Sequence, residues 1–135
     1  MKLIALQIKT TSNFQENLTH LKDLINLCEK DSLILAPELA LSGFSYDKME
    51  EATQFSLKAI EEIKELSKDK TIALTFITKK ENRFFNTLYI LHNQEIIHTQ
   101  SKTRLFPLGN ETDYFQAGSE DDIKILNING IKIAT

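Results

Sequence analysis

The chain has 135 residues, of which 41% are hydrophobic, and it carries a formal net charge of −3 with a pI near 5.6. This length and composition suit one domain of ordinary size with a hydrophobic core, which excludes a disordered chain. The 16 basic residues form no basic run, so nothing in the charge favours nucleic acid or an anionic membrane as a partner. The single cysteine, Cys28, excludes an intramolecular disulfide.

No segment has the length and apolarity of a signal-peptide core or a membrane span. The short apolar run near the start, Leu3-Ile4-Ala5-Leu6, is broken at Gln7 and Lys9, and the apolar stretch 33–41 contains Pro37 and Glu38. We therefore expect a cytoplasmic protein.

The hydrophobic pattern predicts alternating strands and helices in the first part of the chain. Strands are predicted over residues 2–9, 32–36 and 70–78, and helices over residues 13–30 and 48–68. The first strand is apolar on both faces, which is typical of a sheet covered on both sides. In the first helix one apolar stripe recurs every three or four residues: Phe14, Leu18, Leu21, Leu24, Ile25 and Cys28.

The second part of the chain predicts strands without intervening helices. These strands cover residues 84–91, 95–100, 123–128 and 131–134. The last two flank Asn129-Gly130, a strong hairpin signal. Residues 101–121 have little periodicity and predict a long functional loop. The order of elements predicts α/β layering with a mixed sheet.

Three polar residues are candidates for a site. Glu38 directly follows an apolar strand, at the sheet edge where ligands bind in open α/β folds. Its apolar surroundings predict a buried carboxylate suited to general-base catalysis, and the alternative is a loop acid in water. Lys102 could stabilise a developing negative charge. Local sequence alone favours a solvated loop residue for Lys102 and for Glu111.

The remaining chemically active side chains give no site. Cys28 lies on the inward stripe of the first helix, which predicts core packing rather than a nucleophile. The histidines lack metal-ligand spacing and the glycines form no phosphate loop, so neither a metal nor another cofactor is predicted.

Several segments share the order and spacing of one enzyme family. They are Gln7 with Glu16-Asn17, Pro37-Glu38 with Leu41-Ser42-Gly43-Phe44, Phe85-Asn86-Thr87, Lys102-Thr103-Arg104-Leu105-Phe106-Pro107, and Glu111 with Tyr114-Phe115 and Gly118. Together they resemble the N-terminal half of nitrilase-superfamily carbon–nitrogen hydrolases. Two positions depart from the family pattern: Arg104 stands where histidine is usual, and Gln100-Ser101 replaces the frequent Tyr-Arg.

The resemblance implies a fold, a mechanism and site roles. The fold would be half of a four-layer α-β-β-α sandwich with a mixed sheet. Glu38 would be the general base, Lys102 would stabilise the tetrahedral intermediate, and Glu111 would orient substrate and lysine. We expect residues 1–135 to be the N-terminal part of one hydrolase domain, ending before the nucleophilic cysteine and therefore inactive alone.

The full protein would hydrolyse a non-peptide C–N bond of a small amide, carbamoyl or nitrile substrate through a Cys-Glu-Lys thioester mechanism. The resemblance also implies a homo-oligomer. One alternative is a glutaminase-type module that supplies ammonia to a larger synthetase. Another is a non-catalytic remnant that binds a partner or a small amide. The coding sequence beyond Thr135 discriminates among these alternatives.

Overall fold

A computed structural model describes residues 1–135 and contains a five-stranded mixed sheet with two long helices. The strands of this sheet are β1 (Lys2–Ala5), β2 (Ser32–Leu35), β3 (Thr71–Lys80), β4 (Arg83–His92) and β5 (Glu95–Ser101). The helices are α1 (Phe14–Leu27), α2 (Met49–Leu66) and the short α3 (Glu111–Tyr114). A separate hairpin is formed by β6 (Ile125–Ile128) and β7 (Ile131–Ala134). None of the helices combines the length and apolarity that crossing a membrane would need.

The strand order β1-β2-β3-β4-β5 follows the chain. The pairs β1–β2 and β2–β3 are parallel because α1 and α2 cross over between them. The pairs β3–β4 and β4–β5 are antiparallel hairpins. Each hairpin, including β6–β7, turns through two residues with positive φ, the geometry that suits the twist of the flanking strands. These pairs are Glu81-Asn82, Asn93-Gln94 and Asn129-Gly130.

The main core lies between the two long helices and one face of the sheet. Its members from α1 and α2 are Leu18, Leu21, Ile25, Ala59, Ile60 and Ile63, and those from the strands are Ile34, Ile72, Leu74, Phe76 and Leu91. Alternation along β1 and β2 directs Leu3 and Leu35 to the opposite face, where they are 68% and 37% exposed. The two long helices form one layer on one face of the sheet. This confirms the predicted half of the α-β-β-α sandwich.

The structure corrects several predicted boundaries and burial patterns. Strand β1 ends at Ala5 rather than residue 9, and α1 ends at Leu27 rather than residue 30. The prediction that β1 is covered on both faces is wrong for this chain, because both long helices pack on the same side. The predicted loop over residues 101–121 is mostly irregular but includes α3 and two single 3-10 turns, Pro107–Gly109 and Glu120–Asp122.

Candidate active site

Glu38 lies in a tight turn just after β2, at the carboxyl end of the parallel strands. The next residue, Leu39, is fully buried and has a φ of +48°, a left-handed conformation that is strained for leucine. Its N–H donates to Thr75 Oγ1 at 2.7 Å, and its carbonyl accepts from the N–H of Gly43 at 2.7 Å. These two bonds hold the strained turn and thereby fix the direction of the Glu38 side chain.

Lys102 directly follows β5 and is fixed by its backbone. Its N–H donates to the carbonyl of Asn86 on β4 at 2.8 Å, and its carbonyl accepts from the N–H of Gly118 at 3.0 Å. A Cβ at Gly118 would lie 2.3 Å from the carbonyl oxygen of Ser101, so only glycine allows this approach. The glycine therefore lets the long loop return to β5 beside the lysine.

Glu111 opens α3 and is the buried acid of the cluster. Its side chain is 3% exposed, and Oε2 accepts from the backbone N–H of Phe106 at 2.8 Å. An aromatic support lies nearby: Tyr46 stacks on Tyr114 at 4.1 Å between ring centroids and donates to the carbonyl of Gly109 at 2.6 Å. Burial first, and then the charge of Glu111, raises the pKa of Tyr46 above its ordinary value, so the phenol stays a donor.

The ammonium group of Lys102 joins the two glutamates. Its Nζ lies 2.7 Å from Glu38 Oε1 and 2.8 Å from Glu111 Oε1. Glu38 Oε1 also accepts from Nδ2 of Asn86 at 2.7 Å. One cation between two carboxylates leaves the cluster with an excess of negative charge when all three groups are ionised. Glu38 Oε2 accepts no hydrogen bond from the protein.

The electrostatics keep Lys102 protonated. Burial alone would lower the pKa of Lys102, but the hydrogen bonds and charges of Glu111 and Glu38 outweigh it and raise that pKa above its ordinary value. The lysine is therefore a hydrogen-bond donor and a positive charge, not a base.

The prediction that Glu38 is buried is wrong. Its side chain is 42% exposed, and hydrogen bonds from its partners rather than burial hold it in place.

A cleft of about 430 Å³ opens beside the cluster. It is lined by Glu38, Asn86, Lys102 and Gln100, and by apolar side chains of β2, β3 and β4 that include Leu35, Ala73 and Leu88. Small-molecule sites typically combine such an apolar lining with a few convergent polar groups. The cleft, its carboxylate and its ammonium group suit proton transfer and stabilisation of a developing negative charge.

The structure brings Glu38, Lys102 and Glu111 together, although 64 residues separate the first two. It does not bring Cys28 to them: that thiol donates to the carbonyl of Leu24 at 3.2 Å, and the side chain packs against the main core. No group of histidine, cysteine and acidic side chains is arranged to bind a metal. The sequence pattern predicts no role for Asn86, although this residue lies in the Phe85-Asn86-Thr87 segment that resembles the family and its side chain contacts Glu38.

No family model and no curated protein matches the sequence. Solved structures do match the fold. The glutamine-dependent NAD+ synthetase of Acinetobacter baumannii has a TM-score of 0.85 at 21% identity, covering 98% of this chain and 26% of that one. A CN-hydrolase superfamily protein of Xanthomonas campestris gives 0.82 at 20% identity, covering 98% and 51%. An amidase from Nesterenkonia sp. gives 0.84 at 16% identity, covering 99% and 54%.

The fold is therefore that of the nitrilase, or carbon–nitrogen hydrolase, superfamily, as the resemblance implied. The chain spans about half the length of the amidase and the CN-hydrolase, and about a quarter of the synthetase. In one variant of the Nesterenkonia amidase, the acetamide moiety of fluoroacetamide is attached covalently to the active-site cysteine.

Proposed function

We infer that this chain supplies the general base and the charge-stabilising lysine of a carbon–nitrogen hydrolase that acts on a small amide, carbamoyl or nitrile substrate. The observation that carries the proposal is the Lys102 ammonium group, held within 2.8 Å of both Glu38 and Glu111 beside an apolar cleft. The nucleophile would be a cysteine outside residues 1–135, because Cys28 lies in the core. The covalent adduct of the Nesterenkonia amidase supports a cysteine in that role.

The reaction would proceed through a thioester. Glu38 accepts the thiol proton, and the thiolate attacks the carbonyl carbon of the amide. Lys102 donates a hydrogen bond to the oxygen that becomes negative in the tetrahedral intermediate. Glu38 then delivers its proton to the leaving nitrogen as the C–N bond breaks. In the second half of the reaction, Glu38 takes a proton from water as the water oxygen attacks the thioester carbon. The C–S bond then breaks, and Glu38 returns that proton to the departing thiolate, which leaves the carboxylic acid and the restored thiol.

Glu111 would hold the lysine rather than react. One of its oxygens accepts a hydrogen bond from Lys102, and the other accepts one from the N–H of Phe106. Both oxygens of the carboxylate therefore have protein partners. Such pre-organisation avoids reorganisation when charge develops in the transition state.

A glutaminase-type module is the second candidate, supported by the fold of the Acinetobacter baumannii synthetase. The immediate surroundings of the cluster favour a small uncharged amide instead. Phe44, Tyr46 and Phe106 form an aromatic pocket of about 230 Å³ against Glu111. Glutamine carries a carboxylate group, and a carboxylate is costly to bury against aromatic rings without a hydrogen-bonding or charged partner.

The test begins with the coding sequence beyond Thr135 and the intact mass of the purified protein. Ammonia release from short aliphatic amides and from glutamine is then measured on the protein expressed from its complete coding sequence. We expect turnover that Glu38→Gln and Lys102→Met abolish and that Lys58→Met, a surface control, leaves unchanged. Faster turnover of glutamine would favour the glutaminase alternative, and a chain that ends at Thr135 and shows no turnover would favour the binding alternative.

Residues 1–135 alone provide the complementary test. We expect no amide hydrolysis from them. Turnover that disappears in a Cys28→Ser variant would contradict both the inactivity and the core role of that thiol.

A further inference from the structure

Asn86 is a buried polar residue in the middle of β4. It is 1% exposed and lies next to Thr87, whose hydroxyl bonds Thr78 and Ser101 instead of the cluster. Buried polar side chains in native proteins normally have all their groups paired, so each exception needs a reason. Asn86 is such an exception.

In the side-chain amide of Asn86, the nitrogen is hydrogen-bonded and the oxygen is not. Its Nδ2 donates to Glu38 Oε1 at 2.7 Å, which fixes the orientation of the amide because only the nitrogen can donate to a carboxylate. Its Oδ1 is buried without any partner, and it is the one such side-chain atom in the chain. A buried acceptor without a partner carries a desolvation cost. Stability alone does not explain an asparagine here.

The same residue also fixes Lys102. The backbone carbonyl of Asn86 accepts from the N–H of Lys102 at 2.8 Å, while its side chain binds the carboxylate that Lys102 Nζ contacts. One residue of β4, Asn86, therefore holds both the general base Glu38 and the lysine Lys102. Asn86 and Lys102 both bind Oε1 of Glu38, which leaves Oε2 unbonded.

We propose that Asn86 is a positioning residue that holds Glu38 against Lys102 with one carboxylate oxygen, so that the other oxygen is the one that exchanges protons. This role rests on the proposed hydrolase function. The catalytic groups remain Glu38, Lys102 and the external cysteine, and Asn86 acts through the first two.

The first test needs no activity. Asn86→Leu replaces the amide by an apolar side chain of similar size, and Asn86→Ala is the second variant in case leucine does not fit. Lysine side-chain NMR titration of the protein expressed from its complete coding sequence monitors Lys102. We expect its pKa to fall toward the ordinary value of 10.5 in both variants, because Glu38 is no longer held beside it. An unchanged titration in both would overturn the proposal.

The second test measures kinetics on the protein expressed from its complete coding sequence. We expect kcat to fall about 100-fold in both variants, with KM little changed. The reason is that a small displacement of the Glu38 carboxylate from its reacting position slows the reaction without weakening substrate binding. The melting temperature of Asn86→Leu should stay close to that of the wild type, because the unpaired oxygen is removed together with the hydrogen bond. Thr87→Val, which leaves Glu38 untouched, is the control for generic loss of stability.

The outcomes separate the two proposals. Wild-type kcat in both Asn86 variants, or an equal loss in Thr87→Val, would overturn the positioning role while hydrolysis itself stands. If the wild-type protein hydrolyses neither aliphatic amides nor glutamine, the hydrolase function fails. The Lys102 titration then still decides whether Asn86 holds the Glu38–Lys102 pair.

Discussion

The ammonium group of Lys102 lies 2.8 Å from Oε1 of Glu111, a carboxylate whose side chain is 3% exposed. A carboxylate at that depth is stable only if its charge is paired and its oxygens are hydrogen-bonded. Lys102 supplies the charge, and the N–H of Phe106 supplies the second hydrogen bond. The lysine is therefore needed for the fold around α3 as well as for any chemistry at Glu38.

Removing this lysine should destabilise the protein. Lys102→Met keeps the length of the side chain but leaves Glu111 buried without its cation. We expect the free energy of unfolding to fall by about 3 kcal/mol, the lower end for breaking a buried ion pair, since Lys102 keeps some contact with water. Urea denaturation measures this. Lys58→Met removes an exposed pair with Glu62 and should change little, and an equally small effect at Lys102 would contradict the role assigned to Glu111.

The stability of the protein should also fall at alkaline pH. The folded protein raises the pKa of Lys102, so its contribution is complete below the unfolded value of 10.5 and is lost as pH rises through the folded value. The raised pKa of Tyr46 acts in the same direction. As pH rises, the phenol of Tyr46 loses its proton in the unfolded chain at a lower pH than in the folded protein, which favours unfolding. Unfolding free energies measured from about pH 8 to pH 11 should decline more steeply in the wild type than in Lys102→Met. Parallel curves would show that Lys102 is not coupled to the glutamates.

Gly118 should tolerate no side chain. In Gly118→Ala the added Cβ would lie 2.3 Å from the carbonyl oxygen of Ser101, which is backbone and cannot rotate away. We expect a loss of about 2–3 kcal/mol from overpacking, together with a shift of Lys102, whose carbonyl the glycine N–H binds. Gly130→Ala is the matched control: its φ is +83° and the surrounding space is open, so strain of about 1 kcal/mol is expected. Equal losses at both glycines would rule out the steric explanation.

Elements that depend on local chemistry were predictable from the sequence. The turn pair Asn129-Gly130 predicts the β6–β7 hairpin because both residues readily adopt positive φ. The stripe of α1 predicts the core positions Leu18, Leu21 and Ile25 because a helix repeats every 3.6 residues. Leu6 and Ile8 continue an alternating pattern after β1, yet they lie outside the strand, because apolar residues do not reveal where pairing with the neighbouring strand stops.

The sequence motifs predict which residues come together in the cluster, but not which contacts they make. The motifs single out Glu38, Lys102 and Glu111, whose catalytic roles stay predictions, whereas the predicted burial of Glu38 is wrong. The Asn86–Glu38 bond spans 48 positions, and the Leu39–Thr75 bond spans 36. Such bonds depend on how the strands align in space, and hydrophobic periodicity carries no information about them. The exposure of Glu38 likewise depends on the turn that Leu39 adopts.

The bond between Thr75 and Leu39 gives a final test of how the site is built. Leu39 is fully buried with a φ of +48°, and its N–H has Thr75 Oγ1 as its partner at 2.7 Å. Thr75→Val keeps the shape of the side chain and leaves that N–H unsatisfied, which should cost about 1–3 kcal/mol. The turn would lose the bond that balances its strain, so Glu38 should be less well fixed and kcat should fall with it.

Thr75→Ser is the matched control because it keeps the hydroxyl group and loses only a methyl group. We expect the serine variant to retain most of the activity that the valine variant loses, which denaturation and amide-hydrolysis kinetics on the same preparations would show. If valine and serine behave alike in both measurements, the methyl group rather than the hydrogen bond matters at Thr75. The conformation of Leu39 would then be maintained by its burial among Phe14, Ile77 and Phe115.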